Sequence, residues 1–243
     1  MPAQTVEIKA SAGAIPCHFF PQTRPRPAVI VYMDAFGIRP TLLQMAERLA
    51  SNGYTVLLPD LYYRAAPQLP FNPATAFQDP AEKERLTAAR QDVNNASVMR
   101  DSAAFLDFLS AHADSKNKNV GTVGYCMGGA FALSAAGTFP DKITAAACFH
   151  GARLATDQPD SPHLLAPRMK AHIYVGIAGL DAHFTPEEQS RLESALVSAH
   201  VPHTIEVYSE AQHGFAIADH PVYKREAAEH HWQQLLKLFA ENL

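Results

Sequence analysis

Short, almost wholly apolar runs alternate along this chain with segments whose apolar residues recur at helical spacing, and that alternation leaves few folds open. Ala28–Tyr32 is a continuous apolar run, as expected of a strand covered on both faces in a parallel sheet. After it, Leu42, Met45, Ala46, Leu49 and Ala50 fall on one helical face. Asn52-Gly53 stops that helix, since both residues tolerate the left-handed conformation that a helix end needs. Tyr54–Leu58 is the next strand, closed by Pro59-Asp60. The rhythm returns with strands at Val120–Gly124, Thr144–Phe149, His172–Gly176 and Thr204–Tyr208. Helices are expected at Met127–Thr138 and Pro186–Ala199. A closing helix carries Ala228, His231, Trp232, Leu235, Leu236 and Phe239 on one face. An N-terminal hairpin, Thr5–Lys9 and Ile15–Phe20 about Ala12-Gly13, precedes them. Such alternation predicts an α/β fold with a mostly parallel central sheet and helices on both faces. Ligands in such sheets bind at the carboxyl ends of the strands. With 243 residues, no internal repeat and no linker, residues 1–243 are expected to form one domain.

Composition excludes several functions. The net charge is −4 with no block of Lys or Arg, so a polyanion such as nucleic acid is not an expected partner. No apolar stretch approaches the roughly 20 residues that span a bilayer, and the N-terminus lacks the pattern of a secretory signal, so a cytoplasmic protein without membrane association is expected. Cys17, Cys126 and Cys148 are too few and too scattered for a disulfide framework. The 12 histidines show no metal-ligand spacing, so no metal is expected, and the adjacent His230 and His231 read as surface positions. A monomer is expected because the fold needs no partner to bury its core.

Residues 61–80 hold Pro67, Pro70, Pro73 and Pro80 among several aromatics and read as a long irregular excursion, of the kind that serves as a lid or pocket wall. A charged helix is expected from Ala81, then one with Val98, Ser102, Phe105 and Leu109 on its buried face.

Chemistry concentrates at Gly124-Tyr-Cys-Met-Gly128, a G-x-C-x-G segment between a strand and an Ala-rich helix. This is the cysteine form of the nucleophile elbow. The turn is so tight that a Cβ at either flanking position would strike its neighbours. Cys126 is then held at a helix N-terminus, whose partial positive charge favours a thiolate, with the Met127 N–H free for an oxyanion. A buried cysteine in a Gly-rich turn is the plainer alternative. Two more segments tip the balance. Asp181 follows a strand in Ile-Ala-Gly-Leu-Asp-Ala-His183, and His213 follows the next in Ser-Glu-Ala-Gln-His-Gly-Phe215. Each also has a bland reading, a helix-capping Asp and a loop His. Together they give the order nucleophile, acid, histidine at successive strand ends.

At these residues the chain resembles the dienelactone hydrolase family (carboxymethylenebutenolidases), a branch of the α/β-hydrolases. The matching segments are Gly124–Gly129, Pro59-Asp-Leu-Tyr-Tyr63, Gly179-Leu-Asp181, Ala211-Gln-His-Gly-Phe215 and, in layout, Asp34-Ala-Phe-Gly37. The resemblance implies a cofactor-free hydrolase of small lactones or esters. Cys126 would be acylated, His213 would be the base, Asp181 would orient it, and the N–H groups of Met127 and Ala35 would bind the oxyanion. A general carboxylesterase or thioesterase on the same residues, or a silent binding protein of this fold, are the other functions considered.

Two departures from the family pattern bear on substrate. Asp34 stands where well-known members carry a thiol-activating glutamate, so it is expected either to touch the thiol or to shape the turn beside Gly37. Ile217 stands where one substrate-clamping arginine is found; Arg85 and Arg64 are the remaining basic candidates. The expected substrate is therefore a smaller or less anionic lactone or ester.

Overall fold

The computed structural model describes residues 3–65, 70–112 and 119–243. Eight strands form one sheet: β1 (Gln4–Ala10), β2 (Gly13–Phe20), β3 (Ala28–Tyr32), β4 (Thr55–Pro59), β5 (Val120–Tyr125), β6 (Ile143–Phe149), β7 (His172–Leu180) and β8 (His203–Gln212). Their spatial order is β1-β2-β4-β3-β5-β6-β7-β8. The β1–β2 hairpin and the β2–β4 pair are antiparallel, and every later pair is parallel. Six helices cover the sheet: α1 (Pro40–Ser51), α2 (Pro80–Arg90), α3 (Asn95–His112), α4 (Met127–Thr138), α5 (Pro186–Ser198) and α6 (Arg225–Asn242). A 3-10 helix, Pro162–Arg168, lies between β6 and β7. This is an α/β-hydrolase fold.

The apolar runs β3 and β4 are buried at every position, as two-sided coverage demands. Gly128–Gly137 of α4 are all buried, so this helix has no polar face to give water. Its Gly and Ala residues let it lie close against β3, β5 and β6.

Two expectations change. β7 and β8 run to Leu180 and Gln212, four residues past their expected ends. In β8 the added Ser209, Glu210 and Gln212 are exposed and polar, so pairing extends where no core pattern marks it; in β7 Ile177 and Ala178 continue the buried run before Gly179 and Leu180 become exposed. His231 is not a surface residue. It is fully buried on α6, with Nδ1 against the Ala228 carbonyl and Nε2 3.1 Å from the Tyr125 hydroxyl. Burial holds it neutral, down at about 3, while His230 is half-buried against Glu206. Of the 61–80 excursion, residues 66–69 lie outside the described residues. The remainder is turns that end where Asp79 caps α2 by accepting from the Glu82 N–H.

The elbow is steric. A Cβ on Gly124 would lie 1.9 Å from the Gly128 carbonyl oxygen, and one on Gly128 would lie 2.3 Å from the Tyr32 carbonyl oxygen. Backbone cannot yield as a side chain can, so G124A is expected to give no folded soluble protein. In contrast G53A, at φ +93° with open space around it, is expected to fold and to lose about 1–2 kcal/mol in urea denaturation. A normally stable G124A would overturn this account of the turn.

Candidate active site

Parallel strands deliver their next residues to one edge of the sheet. Cys126 follows β5, and its backbone is held at φ +53° and ψ −117°, outside the common basins. The Cys126 N–H donates to the Phe149 carbonyl, and its own carbonyl accepts from Gly129 and Ala152. These contacts over-determine the strained residue and leave its side chain above the sheet. Met127 is the first residue of α4, half-buried, with its N–H at the helix start.

Asp181 follows β7 and His213 follows β8. His213 Nδ1 is 2.7 Å from Asp181 Oδ2, and Asp181 Oδ1 accepts from the His183 N–H at 2.7 Å. The Asp181 side chain is 1% exposed and that of His213 17%. The Cys126 side chain bears on the imidazole electrostatically. Burial pushes His213 down, but the hydrogen bond with Asp181 and the influence of the Cys126 and Asp181 side chains overcome it and raise it to about 10. An imidazolium of that kind stabilises the fold fully below its unfolded value of about 6.5, and loses that contribution as pH rises through about 10. The three residues expected from the sequence are thus brought together around His213.

Asp34 is fully buried, and among the described residues its partners are not at the thiol. Its Oδ1 accepts from the Phe36 N–H and from Arg39 Nη1 at 2.7 Å; its Oδ2 accepts from Arg39 Nη2 at 2.8 Å and lies 3.2 Å from His220 Nε2. Arg39 reaches on to Asp219, with Nε 2.6 Å from Oδ2. The turn-shaping expectation is the one these contacts match. They also clamp two loops together, the one after β3 that carries Ala35 and the one after β8 that carries His213. Sequence inspection missed Arg39; its only signal is a basic residue directly before Pro40.

Ala35 is buried, and its carbonyl accepts from the Tyr62 hydroxyl at 2.6 Å. Ile217 is fully buried and offers no charge. Arg64 is committed to the buried Asp101, with Nη2 2.9 Å from both carboxylate oxygens, and stacks on Tyr63. Arg85 lies over the Phe71 ring at 5.3 Å. Arg90, which sequence inspection did not single out, bears electrostatically on the buried Tyr62 hydroxyl.

The dienelactone hydrolase family model matches residues 16–243 of this chain. The chain belongs to that family. Curated members similar to it include a carboxymethylenebutenolidase of Pseudomonas putida, 29% identical over 86% of this chain and 83% of its own. Another, from Rhodococcus opacus, is 28% identical over 88% of this chain and 81% of its own. A solved structure, the dienelactone hydrolase-like promiscuous phosphotriesterase P91 from metagenomic libraries, superposes with a TM-score of 0.80 at 25% identity, covering 99% of this chain and 98% of its own. The chain is accordingly a hydrolase acting on esters or lactones. Among the described residues no helix is long and apolar enough to cross a membrane, and no cluster of side chains could hold a metal ion.

Burial pushes the Asp34 carboxyl up, but the bonds from His220 and Arg39 outweigh it and hold the group below the usual carboxylate range. Its stabilisation is therefore present above about pH 4, the unfolded value, and is lost as pH falls through the lower folded one. D34N is expected to cost about 3–5 kcal/mol in urea denaturation at neutral pH, because it leaves Arg39 buried with half its partners. The gap to wild type should narrow in acid. A cost under about 1 kcal/mol would mean that the clamp contributes no more than a surface pair.

Proposed function

We propose that this chain is a thiol hydrolase of small lactones and esters, acting through a Cys126–His213–Asp181 triad and an acyl-thioester. The reading is carried by the placing of Cys126, at a strained elbow, beside a histidine whose Nδ1 is fixed by a buried aspartate. Cys126 sulfur, its proton held by His213, attacks the acyl carbonyl. The oxyanion is received by the N–H groups of Met127 and Ala35. Collapse breaks the acyl carbon–oxygen bond, and His213 protonates the departing oxygen; in a lactone this group stays tethered to the acyl chain. His213, now neutral, takes a proton from water, which attacks the thioester and frees the carboxylic acid and the thiol. Asp181 keeps Nδ1 protonated throughout and steadies each imidazolium.

Substrate charge follows from the basic residues. Ile217 gives no cation, and Arg64 is already bound by Asp101. We infer a substrate with little or no negative charge, in a soluble cytoplasmic monomer that needs no cofactor.

Wild type and C126A are to be compared on a dienelactone, its methyl ester, a 4-nitrophenyl ester, an acyl thioester and, given the P91 relative, an aryl phosphotriester. Wild type should turn over at least one of them, and C126A should lose about 100-fold or more, near 2.7 kcal/mol of barrier. Comparable rates on the dienelactone and its methyl ester are expected. Strict dependence on the free carboxylate would overturn the charge inference and direct attention to Arg90. Equal activity in C126A would overturn the thiol mechanism. A preference for the nitrophenyl ester or the thioester would place the chain among general esterases or thioesterases on the same residues.

A further inference from the structure

Four neighbouring strands, β5, β6, β7 and β8, each end one residue before a titratable side chain: Cys126, His150, Asp181 and His213. The mechanism above uses three of them. His150 is 1% exposed, and among the described residues neither of its ring nitrogens has a hydrogen-bond partner. Its backbone sits at φ +39°, pinned by a 2.8 Å bond from its N–H to the Gly176 carbonyl. A neutral imidazole carries one donor and one acceptor, and leaving such a group buried and unpaired costs about 1–3 kcal/mol. A phenyl ring would escape that cost. A side chain that is both strained and unsatisfied invites a functional explanation.

Its surroundings supply one. The His150 ring is T-shaped to His213, with centroids 5.3 Å apart, and to Phe215 at 5.4 Å, and it lies tilted against Tyr125 at 5.9 Å. The other groups facing His213 are Asp181 at Nδ1, Cys126, and the exposed His183 ring at 4.7 Å. Beyond His213 and Tyr125, His150 feels His220 and His231 electrostatically. Burial first, and then these histidine neighbours, hold His150 well below the ordinary histidine range, so it stays neutral beside a protonated His213. His213 Nδ1 is engaged by Asp181, and the His150 and His213 rings meet edge to face at 67°.

We propose that His150 is a positioning residue for His213: a neutral imidazole, claimed by no other partner among the described residues, whose unshared nitrogen lone pair favours the His213 imidazolium that arms Cys126. The proposal rests on the thiol mechanism. Its physics is that of a cation near the negative end of a neutral dipole in a site without water, an effect that an aromatic ring lacking the nitrogen does not supply.

The test is the rate of iodoacetamide alkylation of Cys126, located by peptide mass spectrometry, in wild type, H150F and H150N. H150F keeps an aromatic ring but has no nitrogen. In it, alkylation near pH 6 should fall about tenfold while the rate near pH 9 stays within twofold, since losing one desolvated acceptor beside a cation is worth about that factor in imidazolium stability. kcat/KM should follow the same pattern, and the melting temperature should not fall. A rate unchanged at both pH values overturns the proposal, as does an equal loss at both, which marks a merely loosened site. Should H150F fail to fold, H150N decides, because Asn suits the left-handed backbone and keeps a polar group. Alkylation within about threefold of wild type near pH 6 supports the proposal, and a greater loss overturns it. If wild-type Cys126 itself never alkylates ahead of Cys17 and Cys148, the thiol mechanism falls and this inference with it. A reactive wild type with an indifferent H150F sinks this inference alone.

Discussion

The backbone of α4 meets the sheet at Gly124 and Gly128 more closely than any Cβ would permit, and the placing of Cys126 depends on that contact. The strand-to-helix turn spends a single residue, Cys126, between β5 and α4. A looser turn would set α4 further from β3 and leave the cysteine on a longer, softer loop. Tightness holds Cys126 in an unfavourable backbone conformation, yet three main-chain hydrogen bonds to Phe149, Gly129 and Ala152 keep it there. The uniformly buried α4 beneath supplies the stability that this strain draws on.

A second constraint aligns the loops above. Ala35 and His213 arrive on loops after β3 and β8, strands on opposite sides of β5, and nothing in the sheet's hydrogen bonding fixes one loop to the other. Arg39 does so, with one face of its guanidinium on Asp34 and another on Asp219. A planar group with five donors can satisfy two carboxylates at once, where a lysine would hold one. The ion pair is buried, so it adds little net stability over apolar packing, but breaking it is costly. Its value is geometric: it makes the distance between two loops single-valued.

How much of this was legible beforehand follows from where the signals lie. Strands covered on both faces announce themselves as apolar runs, so β3, β4 and the body of β5 could be read directly. The end of β8 passes out of the core, where pairing persists without an apolar pattern, whereas β7 simply continues its apolar run through Ile177 and Ala178 past Gly176. Cys126, Asp181 and His213 could be singled out as candidates because glycine spacing and a place just beyond a strand are local features. Arg39 was not, since its partner Asp219 is 180 residues away and ion pairing leaves no periodic trace. His231 was misread for the same reason. Its burial depends on Tyr125 and the sheet under α6, although its helical spacing already placed it on the apolar face. His150 did carry a usable signal, the same one that marked its neighbours, because it is the first residue beyond a predicted strand.

That shared position explains why strain gathers where it does. Among the described residues four that are not glycine have positive φ, and Cys126, His150 and Arg153 lie on the two turns that leave β5 and β6 at the reactive edge, while His200 merely follows helix α5. A parallel strand must turn sharply to aim its next side chain across the sheet's edge rather than onward into solvent. An asparagine or glycine would make that turn with less strain, at each about 1–2 kcal/mol of relief. At Cys126 and His150 the residues are instead a thiol and an imidazole, and both stand beside His213. The large core beneath, continuous from the β1–β2 hairpin to α6, is what allows the fold to carry that expense.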